Sequence, residues 1–297
     1  MRLPPIVALG VVAAGWPFVE PHLPVLRRVR VPVPMPAGGS VRVLHLSDLH
    51  LLPIHRRRAA WVRGLARLQA DLVVSTGDHW SSAAAFDLLT STLSALTADG
   101  TPAVLVPGNN DYYTPVRPSA RLYRDGRAGA VRRTPDLPWA EVVAALAQAG
   151  WTDLTHRRVQ LEIAGRTVTL TGTDDAHLRR DRYDEIAGAA EGLALGVVHT
   201  PARRLLRRFA DDGYQLVLAG HTHGGQLRAP FLGPATTNCD LERSRARGLS
   251  LLDGPILDGA GWLHVSAGLG TSPYLPVRVC CRPEATLLEL VPTPPGR

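Results

Sequence analysis

Apolar and polar positions along this chain follow two rhythms. Short apolar runs that break into polar residues recur as "VRVLHLSDLH" (residues 41–50), "DLVVSTGD" (71–78), "AVLVPGNND" (103–111), "LALGVVHTP" (193–201), "YQLVLAGHTHGG" (214–225) and "WLHVSAGLGTS" (262–272). Such runs read as buried strands. Between them, "WVRGLARLQ" (61–69), "FDLLTSTLSALTADG" (86–100) and "PWAEVVAALAQAGW" (138–151) carry apolar residues at helical spacing. Gly100 is placed as a C-cap. "VQLEIAGRTVTLTGTDD" (159–175) alternates and predicts a hairpin turning near Gly165, and "EATLLELV" (284–291) predicts a closing strand. Strand–helix alternation implies parallel pairing and an α/β architecture.

Both ends and one internal stretch break this pattern. Residues 1–40 hold an apolar run (6–19) interrupted by Pro17, then Arg27, Arg28 and Arg30, then the Pro- and Gly-rich "PVPMPAGGS" (32–40). The run is shorter than the roughly 20 residues a spanning helix needs. Three readings stand: a peripheral or single-pass anchor facing the cytoplasm, a packing helix, or a cleaved signal. The expectation taken forward is a cytoplasmic chain associated with a membrane through this segment, the basic cluster meeting anionic lipid. Residues 32–40 read as a linker, which puts the domain at 41–291 and a tail at 292–297. Residues 114–136 lose apolar periodicity and are rich in Arg, including Arg121, Arg124 and Arg127. They read either as a solvated insertion or as a cap that binds an anionic substrate.

Composition sharpens this little. The chain has 297 residues, 45% hydrophobic, a size and balance suited to a globular protein with a substantial core. Its net charge of +7 permits attraction to phosphates or anionic lipid. Every basic residue is Arg, so Arg in place of Lys is not read as a functional choice. Cys239, Cys280 and Cys281 form no disulfide framework, which favours a reducing compartment. No interleaving of aromatic and basic residues marks a nucleic-acid module.

The chemistry gathers at the strand ends: Asp48 and His50, Asp78, Asn109, His199, then His221 and His223. In α/β sheets, ligands bind beyond the carboxyl ends of the strands. Imidazole, carboxylate and amide oxygen together suit Mn, Fe or Zn. The ordered motifs "SDLH", "GD", "GNND", "VVHTP" and "GHTHGGQ" resemble the calcineurin-like metallophosphoesterases, over about residues 41–290. The long "GHTHGGQ" form resembles the branch of often membrane-associated bacterial phosphodiesterases, some of which act on lipid-linked substrates.

That resemblance implies a four-layer α/β/β/α sandwich of two packed mixed sheets and a dinuclear phosphoesterase. Asp48, His50 and His223 would hold one divalent ion, Asn109, His199 and His221 a second, with Asp78 bridging. Hydrolysis of a phosphodiester or pyrophosphate-type bond by a hydroxide shared between the ions is implied. The alternatives are a phosphomonoesterase or protein phosphatase, or a catalytically weak scaffold that binds phosphate groups or a protein. Asn110 departs from the family pattern, which has His there. An amide cannot deliver a proton near neutral pH. A general acid contributes about 10²–10⁴-fold, less than the roughly 12 kcal/mol by which a metal ion shifts its water. Asn110 is therefore expected to weaken action on poor leaving groups and to hold a phosphate oxygen, leaving protonation to water, His177 or the substrate. Asp174 and Asp175 are candidates for orienting ligands or contacting substrate, and His264 for a supporting or core role. The role of His79 stays open.

Overall fold

The structure, a computed structural model, describes residues 15–36, 38–116, 134–229, 231, 233–234, 236–252 and 261–294. The first sheet contains β1 (Val25–Val33), β2 (Val41–Leu46), β3 (Leu72–Thr76), β4 (Ala103–Val106), β5 (Trp151–Asp153) and β14 (Glu284–Pro292), in the order β1-β14-β2-β3-β4-β5. The second contains β6 (Arg157–Ile163), β7 (Arg166–Gly172), β8 (Leu193–Val197), β9 (Leu216–Ala219), β12 (Gly248–Leu251) and β13 (Trp262–Val265), in the order β12-β13-β9-β8-β7-β6. A small ribbon pairs β10 (Arg228–Ala229) with β11 (Gly233–Pro234). Both large sheets are mixed: β2 to β5 run parallel, as do β7, β8, β9 and β13, whereas β14–β2, β6–β7 and β12–β13 pair antiparallel.

The strand periodicity explains the layering. Successive side chains on a strand point to opposite faces. In β2, Val41 and Val43 point inward to the other sheet, and Leu44 and Leu46 point outward. The inner set joins Leu72, Val74, Val104 and Val106 to Leu195, Val197, Leu216 and Leu218 of the second sheet in one apolar layer. On the outer face of the first sheet lie α1 (Arg56–Arg63), α2 (Phe86–Ser94) and α3 (Trp139–Gln148), packing through Val62, Leu89, Leu93, Val142 and Leu146. On the outer face of the second lies α4 (Arg203–Asp211), through Leu205, Leu206 and Phe209. The result is the expected four-layer α/β/β/α sandwich.

Two elements correct the sequence reading. The domain does not begin at residue 41. Residues 25–33 form β1, parallel to β14 along its whole length, with Val31 and Val33 fully buried. The prolines and arginines in this stretch hid a strand, because Pro is tolerated on an edge strand and Arg27, Arg28 and Arg30 stay exposed on it. Likewise α4 escaped notice: four Arg in nine residues mask an apolar stripe that is complete once folded. The N-terminal run is described only from residue 15. Residues 15–19 are helical, and Glu20 is buried, accepting from Trp16 Nε1 at 2.8 Å, from Cys280 N at 3.0 Å and from Cys281 N. Among the described residues, no helix is long and apolar enough to cross a membrane. Arg121, Arg124 and Arg127 lie outside the described residues.

Candidate metal centre

Parallel pairing brings the carboxyl ends of β2, β3 and β4 beside those of β8 and β9, and every predicted ligand sits in the loop that leaves one of them. The loops are held in unusual conformations. Asp48, His50, Asp78, His221 and His223 all have φ between 43° and 69°. Non-glycine residues rarely adopt this region, and each costs on the order of 1–3 kcal/mol. The loops also pack too closely for side chains at two glycines. A Cβ on Gly220 would lie 1.9 Å from Ser47 Oγ, and one on Gly108 2.3 Å from Asp78 Oδ1. Glycine is needed where backbone passes this close to a carboxylate.

The side chains converge in two groups that share Asp78. On one side, ligand atoms of Asp48, His50, Asp78 and His223 all lie within 4.8 Å of one another. His50 Nε2 is 3.4 Å from Asp78 Oδ2 and 3.2 Å from His223 Nε2, which is 3.5 Å from Asp48 Oδ1. On the other side, His199 Nε2 is 3.5 Å from Asp78 Oδ1 and 3.3 Å from His221 Nδ1. Asn109 Oδ1 is buried with no hydrogen-bond partner.

The outer nitrogens fix the tautomers. His199 Nδ1 donates to Thr76 O at 2.6 Å and His221 Nε2 donates to Asn238 O at 3.2 Å, because a carbonyl only accepts. His221 Nδ1 therefore turns a lone pair toward His199 Nε2, 3.3 Å away, and the space between them takes either a proton on His199 or a cation. Together with the orphaned Asn109 oxygen, this donor set fits divalent ions of the Mn, Fe or Zn type.

Charge is finely divided here. Burial pushes Asp48 up to about 6, with His199 opposing. Burial also disfavours the charge on Asp78, but His199 and the Asn110 amide outweigh it and hold Asp78 well below the usual carboxylate range. Conversely, Asp78 overcomes burial and raises His199 well above the usual imidazole range. Burial pushes His50 and His221 down to about 4, and His223 well below its ordinary value. Three of the four imidazoles are thus neutral at pH 7 and open to a cation.

The other predicted residues are placed as follows. Asn110 donates through Nδ2 to Asp78 Oδ2 at 2.6 Å and through its backbone N to Asp78 Oδ1 at 2.8 Å. Its amide is spent on the carboxylate at the middle of the site. The His177 ring lies 4.9 Å from the His221 ring, beside the second group. Asp175 accepts from Thr200 Oγ1 at 2.6 Å and from Leu178 N at 2.9 Å, and so ties the loop after β7 to the residue next to His199. His264 lies between the sheets with Nδ1 2.8 Å from His45 Nδ1. His79 bonds Asp111 and Ser75 and stacks on Trp139, a supporting role.

Two residues with a large part in the site were missed. Asp111, fully buried, accepts four hydrogen bonds: from Asp78 N (2.9 Å), Gly108 N (2.8 Å), His79 N (2.8 Å) and His79 Nδ1 (2.9 Å). It closes "GNND", so the motif contained the signal. Arg278, also fully buried, donates to the carbonyls of Ala267 (2.8 Å), Gly270 (2.7 Å) and Cys281 (3.1 Å) and stands 3.4 Å from His223 Nδ1. Nothing in "PVRVCC" sets it apart from the many other Arg.

The chain is similar to several known proteins. Residues 41–225 match the sequence profile described as calcineurin-like phosphoesterase. The chain is 27% identical over 259 residues to phosphodiesterase YaeI of Escherichia coli K12, covering 86% of this chain and 83% of that protein. It is also 27% identical over 262 residues to the uncharacterized metallophosphoesterase YkoQ of Bacillus subtilis 168, covering 86% of each. The crystal structure of TT1561 from Thermus thermophilus superimposes with a TM-score of 0.43 at 13% identity, covering 77% of this chain and 90% of that one.

Proposed function

Because the chain belongs to the calcineurin-like phosphoesterase family, we propose that it hydrolyses a phosphodiester or pyrophosphate-type bond with two divalent ions, Mn, Fe or Zn. Asp48, His50 and His223 would hold one ion, Asn109, His199 and His221 the other, and Asp78 both. The observation that carries this reading is the strained backbone at five of these residues around an unpartnered Asn109 oxygen. Strain of this kind persists where a site over-determines it. When bound, the ions supply Lewis acidity toward water and the phosphoryl oxygens.

The chain's own groups do the rest. The neutral imidazoles and two carboxylates form a cradle that offsets positive charge. Asn110 holds both oxygens of Asp78 and so sets the orientation of the shared carboxylate. Spent in this way, it offers no proton to a leaving group. We assign that part to His177, whose ring contact with His221 supports the reading. The name of the E. coli relative supports a diester over a monoester. Exposed Trp16 (43%) and Phe18 (60%), a few residues before the Arg-rich β1, support association with a membrane surface; the cytoplasmic side and a lipid-linked substrate belong to the same proposal.

The test is hydrolysis of bis(p-nitrophenyl) phosphate and p-nitrophenyl phosphate by protein loaded with Mn, Fe or Zn, alongside elemental analysis. Faster turnover of the diester with up to two metal equivalents is expected, and Asp78→Asn should lose both metal and turnover. Faster turnover of the monoester would favour a phosphomonoesterase. Metal binding without turnover of either would favour a binding scaffold.

A further inference from the structure

The loop after β7 carries a guanidinium that the metal centre does not use. Arg180 Nε donates to Asp174 Oδ2 at 3.0 Å, and its guanidinium carbon stands 4.0 Å over the Tyr112 ring. Its backbone N bonds Asp175 O at 3.0 Å. Among the described residues, its two Nη nitrogens have no hydrogen bond. The side chain is 39% exposed, whereas Asp174 is 7% exposed. The support beneath it is fixed in turn: Asp174 Oδ1 accepts from Asp175 N at 2.7 Å, and Asp175 is tied to Thr200.

This differs from an ordinary surface ion pair. Arg204 spends both Nη nitrogens on the two oxygens of Asp181. Arg180 spends only Nε, so its Nη edge is left outward and its plane is locked by the ring beneath. A locked guanidinium edge matches two oxygens of a phosphoryl group. Its position is set by two neighbours. Tyr112 follows Asn110 by two residues, and His177 precedes Arg180 by three while lying against His221. Among the described residues, Arg278 is committed to carbonyls and Arg58 to Leu49 O at 2.9 Å.

We infer that Arg180, clamped by Tyr112 and Asp174, binds a second anionic phosphoryl group of the substrate beside the one held in the metal centre. The substrate class is then a diphosphate ester rather than a simple diester. This rests on the phosphoesterase reading above.

The experiment is calorimetric titration of the metal-loaded full chain with α,β-methylene-ADP, which carries the second group and resists hydrolysis, and with AMP, which lacks it. Free metal is held constant. Wild type should bind the diphosphonate at least about 10-fold more tightly, the size of one charge-assisted pair. Arg180→Gln should bring the two ligands within about 2-fold while leaving AMP affinity unchanged, and Arg180→Lys should keep part of the preference. No preference in wild type, or equal weakening of both ligands by Arg180→Gln, overturns the assignment. Turnover of bis(p-nitrophenyl) phosphate, measured in parallel, separates the two ideas. A preference without turnover would remove the hydrolase and keep the subsite, whereas turnover without a preference would remove the subsite alone.

Discussion

Replacing Asp111 by Asn keeps its shape and changes one oxygen into a donor. The carboxylate takes three bonds on Oδ2, from Asp78 N, Gly108 N and His79 Nδ1, and one on Oδ1, from His79 N. The best orientation of an amide keeps its oxygen in the place of Oδ2. Its NH₂ then faces the His79 N–H, donor against donor, in a pocket that water does not reach. One charge-assisted bond is lost and a buried donor is stranded, together about 3 kcal/mol. Asp111→Ala loses all four bonds. Neighbouring bonds are not additive, so about 4–5 kcal/mol is expected rather than their sum. The same change loosens Asp78, whose backbone N hangs from Asp111, and metal affinity should fall about 10–100-fold, as for other supports of ligands. Urea unfolding of the metal-free chain measures the first effect and competitive metal titration the second. Unchanged stability and unchanged metal affinity in Asp111→Asn would refute the view that this carboxylate organises the site.

Asn110→Ala should lower metal affinity about 10–100-fold, because Asp78 Oδ2 loses the Nδ2 bond at 2.6 Å that orients it; competitive metal titration reads this, and an unchanged affinity would show that the amide does not position Asp78. His264 is held at about 4 by burial against an ordinary 6.5. The unfolded chain therefore takes up its proton first as pH falls. Stability is intact above 6.5 and should decline by about 3 kcal/mol toward pH 4 through this group; urea midpoints across that window should flatten in His264→Asn, and an unchanged slope would sink the assignment. Deleting residues 1–36, which the linker reading would tolerate, should cost more than about 4 kcal/mol, because Val31 and Val33 each lose full burial and β14 becomes an open edge. A truncated chain with the wild-type urea midpoint would show β1 to be dispensable.

What the sequence made legible was whatever followed a local rule. Buried parallel strands are short continuous apolar runs, so β2, β3, β4, β8 and β9 could be read directly, and the ligands at their ends with them. β1 and α4 failed because Arg residues are crowded among their apolar positions, and a pattern seen from one dimension mixes both faces. Asp111 was visible as a letter of a motif, but its four bonds join two loops about 30 residues apart. Arg278 is the extreme case. A cation buried among carbonyls has no local signature, and only the meeting of residues 267–281 with the "GHTHGG" loop gives it a role.

The order β1-β14-β2 has a consequence for how the protein comes into being. The strand at residues 284–292 is wedged between two made about 240 residues earlier. While the ribosome is still at work, β1 and β2 have no neighbour to join them, and the first sheet must wait with a gap beside its edge strand. Asp48, His50, Asp78 and Asn109 come from that sheet, and His199, His221 and His223 from the other. A nascent chain therefore carries half-sites, and the full donor set exists only once the two sheets have packed.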